Sequence, residues 1–328
     1  MKPLLTLCAA LFCMTTPALA DWQSLPSLPE ANGGFACGFI AGKLIIAGGT
    51  LWRNDQKHWL SAIRCYDPQT GQWSTLGQLP HPWAYGACGV MHDHLILAGG
   101  SDGKSGLQDI LAIDASGRCQ PCGNMTKGLI YTNSAVCGEQ LIFAGGATDP
   151  ADLGTFTSDA FRLTITPAPL HATVWALPCL SGKGFGTGTA AASGGKVFIF
   201  GGAHHDPVTV VQNIDTLHMV DQQGSALPTN AHLPTPIRGI TAITLTDGLI
   251  YLAGGYPGDD AGFTDEAWLF DASTQTFAKA MALPLKSMVH LTRDGEWIYA
   301  LGGEDKKKHR TAGMWRIRVE ELMSSGRR

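Results

Sequence analysis

The sequence is poor in charge, because Asp, Glu, Lys and Arg make up only 15% of its 328 residues and the formal net charge is −4. No global field is therefore expected to recruit nucleic acid or an anionic lipid surface. Long Ala-, Glu-, Lys- and Leu-rich stretches are absent, whereas 41 Gly and 18 Pro favour a β-rich fold with many turns. A hydrophobic share of 45% is sufficient for a core in a chain of this size. The functional site has to be argued from local residues.

Motifs that mark several enzyme classes are also absent. The sequence contains no P-loop and no dinucleotide-binding fingerprint. Its one CxxC motif, formed by Cys119 and Cys122, has no second CxxC and no His pair at zinc-finger spacing. A redox CxxC usually opens a helix in an α/β unit, and no helical pattern surrounds this one. We therefore expect a local disulfide or an ordinary pair on an outer strand, and no cofactor.

The N-terminus is typical of an export signal. Lys2 supplies a positive start, Leu4 to Met14 form a short apolar stretch, and Ala18 to Ala20 provide a small-x-small cleavage site. An apolar stretch of this length is too short to span a membrane comfortably. We predict a cleaved signal peptide over residues 1–20 and a periplasmic mature protein that has no membrane partner.

A repeat organises the rest of the chain. An apolar run that ends in Gly-Gly occurs six times, as LIIAGG at 44–49, LILAGG at 95–100, LIFAGG at 141–146, VFIFGG at 197–202, IYLAGG at 250–255 and IYALGG at 298–303. The first glycines of successive runs are 51, 46, 56, 53 and 48 residues apart. A period near fifty with this signature is typical of kelch repeats, each of which forms one propeller blade. The sequence therefore predicts an all-β, six-bladed kelch-type β-propeller.

Each repeat carries the pattern of four short strands. In the first repeat, the Gly-Gly is followed by a polar loop, an alternating strand at 62–67, a turn at 68–71 and the aromatic residue Trp73. A chain that turns sharply where blades crowd together needs residues without a Cβ. We therefore expect each Gly-Gly to end an inner strand.

The two ends of the chain are predicted to complete one blade together. The sixth repeat ends after residues 315–319, before a fourth strand, and residues 21–26 resemble the missing piece, with Trp22 in the place of Trp73. An N-terminal strand in the last blade would close the ring and remove two exposed edges. We predict one propeller domain over residues 21–320 and a flexible tail over residues 321–328.

The segments after each Gly-Gly are the natural candidates for a site, because function in a propeller usually occupies one mouth of the central channel. Glu304 follows the last Gly-Gly directly, and Arg310 lies six residues later. A carboxylate beside a cation can act as a base, although a solvated charged loop is the alternative interpretation. Trp52 and Arg53 follow the first Gly-Gly, where they can stack on a sugar and bind an anion, or pack one loop on the next.

Two further candidates precede inner strands. Tyr85 is expected near a channel mouth, unless it only packs between blades, and Arg238 is expected to point inward, unless it only ties blades together. No metal site is expected, because His204 and His205 are adjacent and side chains alternate between the two faces of a strand.

Three segments resemble bacterial sialic acid mutarotases, the N-acetylneuraminate epimerases. They are residues 32–36 before LIIAGG, residues 83–86 before LILAGG, and WIYALGGE at 297–304 followed by Arg310. The resemblance covers the whole chain after the signal peptide, with the blade order rotated as in a cyclically permuted branch of that family. It implies a secreted six-bladed kelch propeller that interconverts the α and β anomers of N-acetylneuraminate without a metal or organic cofactor.

The resemblance also implies roles for the candidate residues. Glu304 is expected to take the anomeric hydroxyl proton while an acid protonates the ring oxygen. Arg310, helped by Arg53, is expected to hold the sugar carboxylate, and Tyr85, Trp52 or a water to orient or protonate the sugar. The loop between Glu304 and Arg310 is more heavily charged here than in the family, so the substrate can differ.

Other functions remain open at this point. A non-catalytic kelch propeller could bind glycan or protein through the same mouth, since propellers host many unrelated functions. A copper oxidase of the galactose oxidase kind would need a Tyr, His and Cys constellation and usually seven blades, and a sialidase would need an Arg triad and Asp-box repeats. The oligomeric state is unknown from the sequence.

Overall fold

The computed structural model describes residues 21–206 and 210–326. The predicted signal peptide at residues 1–20 lies outside the described residues. Within those residues, no helix is long and apolar enough to cross a membrane.

The described chain consists almost entirely of short strands. In chain order the strands are β1 (Gln23–Ser24), β2 (Ala36–Ile40), β3 (Lys43–Ala47), β4 (Thr50–Arg53), β5 (Gln56–Trp59), β6 (Ala62–Asp67), β7 (Gln72–Gln78), β8 (Ala87–Met91), β9 (His94–Ala98), β10 (Asp109–Ile113), β11 (Cys119–Asn124), β12 (Asn133–Cys137), β13 (Gln140–Ala144), β14 (Ala160–Pro167), β15 (Leu170–Leu177), β16 (Phe185–Gly186), β17 (Thr189–Ser193), β18 (Lys196–Asp206), β19 (Val210–Asp221), β20 (Ala226–Leu227), β21 (Thr241–Thr246), β22 (Leu249–Ala253), β23 (Ala267–Asp271), β24 (Thr276–Lys279), β25 (Met288–Asp294), β26 (Trp297–Lys306), β27 (His309–Arg310) and β28 (Met314–Arg318). A 3₁₀ turn (Leu153–Thr155) and the C-terminal helix α1 (Val319–Ser325) complete the elements.

These strands form six antiparallel blades, so the six-bladed all-β propeller predicted from the repeats is confirmed. Blade 1 has the order β2-β3-β6-β7, blade 2 β8-β9-β10-β11 and blade 3 β12-β13-β14-β15. Blade 4 has β17 and β16 side by side against β18, followed by β19 and β20, and blade 5 has the order β21-β22-β23-β24. Blade 6 has the order β25-β26-β28-β1, with β27 also paired to β26, and a separate hairpin, β4-β5, extends from blade 1.

The N-terminal strand completes the last blade, as the sequence predicts. Strand β1 pairs with β28 through Gln23 opposite Arg316 and Ser24 opposite Trp315. Trp22 is buried in the apolar cluster between blades 5 and 6, and its Nε1 donates to the carbonyl of Ala282 at 2.9 Å. We call the junction between blades 6 and 1 the seam, because the two ends of the chain meet in blade 6.

The core is divided among the interfaces between blades. Six apolar clusters are buried, one between each pair of neighbouring blades. At the seam, Phe35 and Leu44 of blade 1 pack with Tyr299 of blade 6. A sheet that is apolar on one face must bury it against another layer. Here each blade buries both faces against its neighbours, which closes the ring without an isolated central core.

The strands that end in Gly-Gly do not lie at the axis, where they were predicted from the sequence. The strands that contact one another around the axis are β2, β8, β12, β17, β21 and β25. The strands that end in Gly-Gly lie second from the axis, so the prediction that they are the inner strands was wrong. The second glycine of every pair donates its N–H, over 2.7–3.0 Å, to a carbonyl in the segment that leads into the next blade. The glycine pairs therefore link neighbouring blades.

Helix α1 occupies much of the segment predicted as a flexible tail, residues 321–328. Helix α1 packs Val319 and Leu322 into the cluster between blades 5 and 6, and Leu322 is fully buried. The backbone N–H of Met281 also donates to Ser325 Oγ at 3.0 Å. Two apolar residues three positions apart thus anchor the helix, and the flexibility of the segment stays a prediction.

The seven cysteines in the described residues are free thiols. Cys119 and Cys122 lie on β11, the outer strand of blade 2. Of the two expected arrangements for this CxxC, the structure has the outer-strand pair.

Candidate functional site

A cavity of about 390 Å³ lies on the axis, at the end of the channel where the innermost strands begin. All six blades contribute to its wall. Its wall contains four charged side chains, two tyrosines and one histidine, namely Lys57, Arg238, Glu304, Arg310, Tyr85, Tyr131 and His290.

A run of backbone hydrogen bonds, which we call the mouth ring, surrounds this cavity. The N–H of Tyr85 donates to Gly34, that of Tyr131 to Tyr85, that of Thr187 to Tyr131, and that of Gly239 to Thr187, over 2.6–3.0 Å. All five residues have φ between +59° and +75°. For a β-branched residue such as Thr187 this is a rare conformation, and such strain tends to persist at functional sites. Blades 1 to 5 are thus joined directly around the cavity.

Blade 6 joins the mouth ring through a side chain. The register of β25 shifts between Met288 and His290, and Nε2 of His290 accepts the N–H of Gly34 at 3.0 Å. The imidazole packs on Phe35, with ring centroids 4.1 Å apart. Burial, reinforced by the positive charge of Arg310, lowers the pKa of His290 to about 4. This histidine is therefore neutral at ordinary pH.

Glu304 reaches the cavity because of the glycines before it. Gly303 has φ of +99°, and a Cβ there would lie 2.0 Å from the carbonyl oxygen of Met288. Glu304 then pairs with Arg310 across β26 and β27, and Nη1 of Arg310 donates to Oε2 of Glu304. The Arg310 side chain is 4% exposed and that of Glu304 24%. The two residues that the sequence singled out therefore form one ion pair in the cavity wall.

The rest of the Arg310 guanidinium is bonded across the seam. Its Nη2 donates to Tyr85 Oη at 2.7 Å and to Thr50 Oγ1 at 3.3 Å, and these two hydroxyls are 2.8 Å apart. The side chain also lies so close to Gly33 that a Cβ there would be 2.8 Å from its Cδ. Both Nη atoms expected to grip a sugar carboxylate are therefore already bonded within the protein.

Tyr85 lies between two positive charges. Burial alone would raise the pKa of its hydroxyl, but Arg310, Lys57 and the bond to Thr50 together outweigh burial and lower it. Lys57 Nζ lies 4.9 Å from the centre of the Tyr85 ring. In neighbouring Tyr131, whose ring centroid is 5.1 Å away, burial raises the pKa of the hydroxyl. The two tyrosines of the wall thus differ in acidity.

The β4-β5 hairpin places Lys57 at the cavity. Its Nζ lies 5.7 Å from the Trp52 ring and 5.5 Å from the Trp59 ring, within cation–π distance. Trp52 does not line the cavity, and Arg53 is exposed at the end of β4. The hairpin therefore contributes Lys57 in place of the two residues that the sequence proposed.

Arg238 lies in the cavity wall contributed by blade 5. Its Nη1 donates to Asn213 Oδ1 at 2.9 Å, and its guanidinium lies 4.7 Å from the centre of the Tyr256 ring. Burial lowers the pKa of Arg238, against the opposing effects of Tyr256 and Asp259. The wall thus offers two cations, Lys57 and Arg238, neither of which has a carboxylate bonded to it among the described residues.

The structure brings together four of the six predicted site residues, namely Glu304, Arg310, Tyr85 and Arg238. Sequence reasoning missed His290, Lys57 and Tyr131. Tyr131 could have been found, because it has the same place before its innermost strand as Tyr85. In the parts of the chain that are described, no group of three or more His, Cys, Asp or Glu side chains is arranged to hold a metal ion.

Comparisons with known proteins agree with this fold. The family profile described as the kelch motif matches residues 31–80. Kelch-like protein terF of Aspergillus terreus is 32% identical over 91 residues, which are 26% of this chain and 20% of that protein. Kelch-like protein 25 of Xenopus tropicalis is 24% identical over 130 residues, 40% of this chain and 22% of that protein. The chain thus spans about a fifth of the length of these curated relatives.

A solved structure, that of YjhT, has the same architecture. It superposes with a TM-score of 0.68 and 16% identity, covering 81% of this chain and 89% of that one. At this identity the likeness shows the fold alone. The chain is accordingly a six-bladed propeller with kelch-type repeats, and its activity has to be argued from the cavity.

Proposed function

We propose that this protein is a periplasmic sugar mutarotase that interconverts the α and β anomers of N-acetylneuraminate. The observation that carries the proposal is the pairing of Glu304 with Tyr85 through Arg310 in a cavity of sugar size. A carboxylate and a hydroxyl of lowered pKa, both bonded to one guanidinium, make an acid–base pair. The sequence resemblance to sialic acid mutarotases supports the same reaction and the same compartment.

Each step of the reaction has a candidate group. Oε2 of Glu304 is bonded to Arg310, whereas Oε1 has no partner within the described chain and can take the proton of the anomeric hydroxyl. The bond between C2 and the ring oxygen then breaks, C2 becomes a ketone, and Tyr85 gives its proton to the ring oxygen. Rotation about the adjacent carbon–carbon bond and reclosure return both protons and yield the other anomer. Glu304 and Tyr85 therefore end in the protonation states in which they began.

The carboxylate of the sugar is assigned to Lys57 and Arg238. Arg310 cannot hold it with both Nη atoms, because these are bonded to Glu304, Tyr85 and Thr50. Arg310 instead orients the acid and the base, while the two other cations in the wall attract the anionic sugar.

Proton NMR of freshly released α-N-acetylneuraminate tests the proposal directly. The β anomer should appear faster with the purified protein, and Glu304→Gln should reduce the acceleration by about 100-fold or more, the usual contribution of a general base. Glu296→Gln is a matched control, because Glu296 also pairs with an arginine in blade 6 but is exposed at the surface. Binding of the sugar without acceleration would refute the isomerase and favour a glycan-binding propeller.

A further inference from the structure

One ring nitrogen of His290 is hydrogen-bonded within the protein, and the other is not. Nε2 accepts the N–H of Gly34 at 3.0 Å, so Nε2 carries no proton. A neutral imidazole has one N–H, which must therefore be on Nδ1. The low pKa of this side chain agrees with the neutral form. His290 thus holds a single, defined tautomer.

The Nδ1–H has no hydrogen-bond partner among residues 21–206 and 210–326, and it is not one of the buried nitrogens sealed off without a partner. His290 itself lines the cavity. A polar N–H that borders a cavity is satisfied by what occupies the cavity, either water or a ligand. The donor is therefore available to a ligand.

The ring is held in place from two sides. Phe35 stacks against it at 4.1 Å between centroids, and a flip of the ring would break the bond to Gly34. Because the donor is fixed before the ligand binds, little free energy is needed to reorient it during the reaction. It also stays neutral when it donates, as an electrophilic histidine must.

We propose that His290 is a ligand-binding and catalytic donor, whose Nδ1–H bonds the anomeric oxygen of the sugar in the cavity. His290 and Glu304 both belong to blade 6, on neighbouring strands. When Glu304 takes the proton from the anomeric oxygen, negative charge grows on that oxygen until the ketone forms, and the Nδ1–H stabilises that charge. The identity of the ligand rests on the proposed function, whereas the contact itself does not require turnover.

Two substitutions separate this role from the structural one. In His290→Gln, the amide oxygen can occupy the place of Nε2 and keep the bond to Gly34, while the Nδ1 donor is lost. In His290→Asn, the amide nitrogen can occupy the place of Nδ1 and keep the donor, while the bond to Gly34 is lost. We expect the Gln variant to retain the wild-type unfolding midpoint in neutral solution and to lose about 100-fold in kcat, as for loss of one oxyanion donor. We expect the Asn variant to be less stable and to retain more activity than the Gln variant.

Nitrogen-15 NMR of the histidine side chains gives a readout that a structural role would not move. The Nδ1 resonance of His290 should shift when N-acetylneuraminate is added to the wild-type protein, including under conditions in which no turnover is detected. A wild-type rate in His290→Gln, or an Nδ1 resonance that the sugar does not shift, would overturn the proposal. If the wild-type protein shifts this resonance but does not accelerate mutarotation, the isomerase proposal fails and the His290 contact stands.

Discussion

Acid should destabilise this propeller through the partly buried imidazole of His290. In the unfolded chain this group takes a proton as the pH falls through 6.5, but in the folded protein it stays neutral down to a pKa of about 4. Between these two values the unfolded chain binds more protons, so the free energy of unfolding must fall as the pH falls. Above pH 6.5 the group is neutral in both states and has no effect.

The size of the effect follows from the two pKa values. A difference between 6.5 and about 4, at about 1.4 kcal/mol per pH unit, makes the folded protein about 3 kcal/mol less stable by pH 4 than at pH 7. Arg310 is the charged group that acts on His290, and Phe35 and Gly34, which contact it from blade 1, carry no charge. Glu304 lies on the neighbouring strand, but its carboxylate is ion-paired with Arg310, and burial together with Arg310 keeps the ring unprotonated.

The assay is urea unfolding followed by tryptophan fluorescence at pH 7 and pH 4.5, on the wild-type protein and His290→Gln. Other histidines titrate in the same range, since burial lowers the pKa of His218, while in His81 bonds to Pro82 and Asp109 outweigh burial and raise it. Both are present in the two proteins and cancel in the comparison. Equal losses of stability on acidification in wild type and variant would refute the reasoning.

Three further predictions concern the N-terminal strand, a glycine pair and the hairpin. Trp22→Ala should cost about 3–5 kcal/mol in the free energy of unfolding measured in urea, because it empties a large buried site; a loss below 1 kcal/mol would mean that β1 does not hold the ring. Gly303→Ala should unfold at lower urea than Gly295→Ala, since both glycines have positive φ but only Gly303 has a carbonyl where the Cβ would be; equal midpoints would contradict the close approach of Met288 to Gly303. Lys57→Met should raise the pKa of Tyr85, read as the difference in phenolate absorbance from the Tyr85→Phe protein; an unchanged titration would remove Lys57 from the site.

Much of the fold could be predicted because its information is local and repeated. Six Gly-Gly runs give the blade count, and the fragment around Trp22 gives the closure. The sequence could not predict whether the strands that end in Gly-Gly lie first or second from the axis. A strand that is buried on both faces has the same continuous apolar pattern in either place. Helix α1 lies outside the repeat, and its order depends on a cluster made by blades 5 and 6.

The candidate site was predictable where a residue has a fixed place in the repeat. Glu304 follows a glycine pair and Tyr85 precedes an innermost strand, so both could be selected from the sequence. His290 carries no motif, and its tautomer depends on Gly34, which is 256 residues away in the chain. Lys57 depends on how the hairpin after the first Gly-Gly folds back, which no repeat specifies.

The proposed acid–base pair is assembled across the seam. Glu304 and Arg310 come from the blade that β1 completes, whereas Thr50 and Tyr85 belong to the first two blades. A chain with five finished blades therefore has most of its core but lacks Glu304 and Arg310, so the proposed acid–base pair is complete only when blade 6 lies against blade 1. Separation of blade 1 from blade 6 would break the bonds of Arg310 to Thr50 and Tyr85, and with them the proposed acid–base pair. The proposed mutarotase activity would then report on closure of the propeller ring.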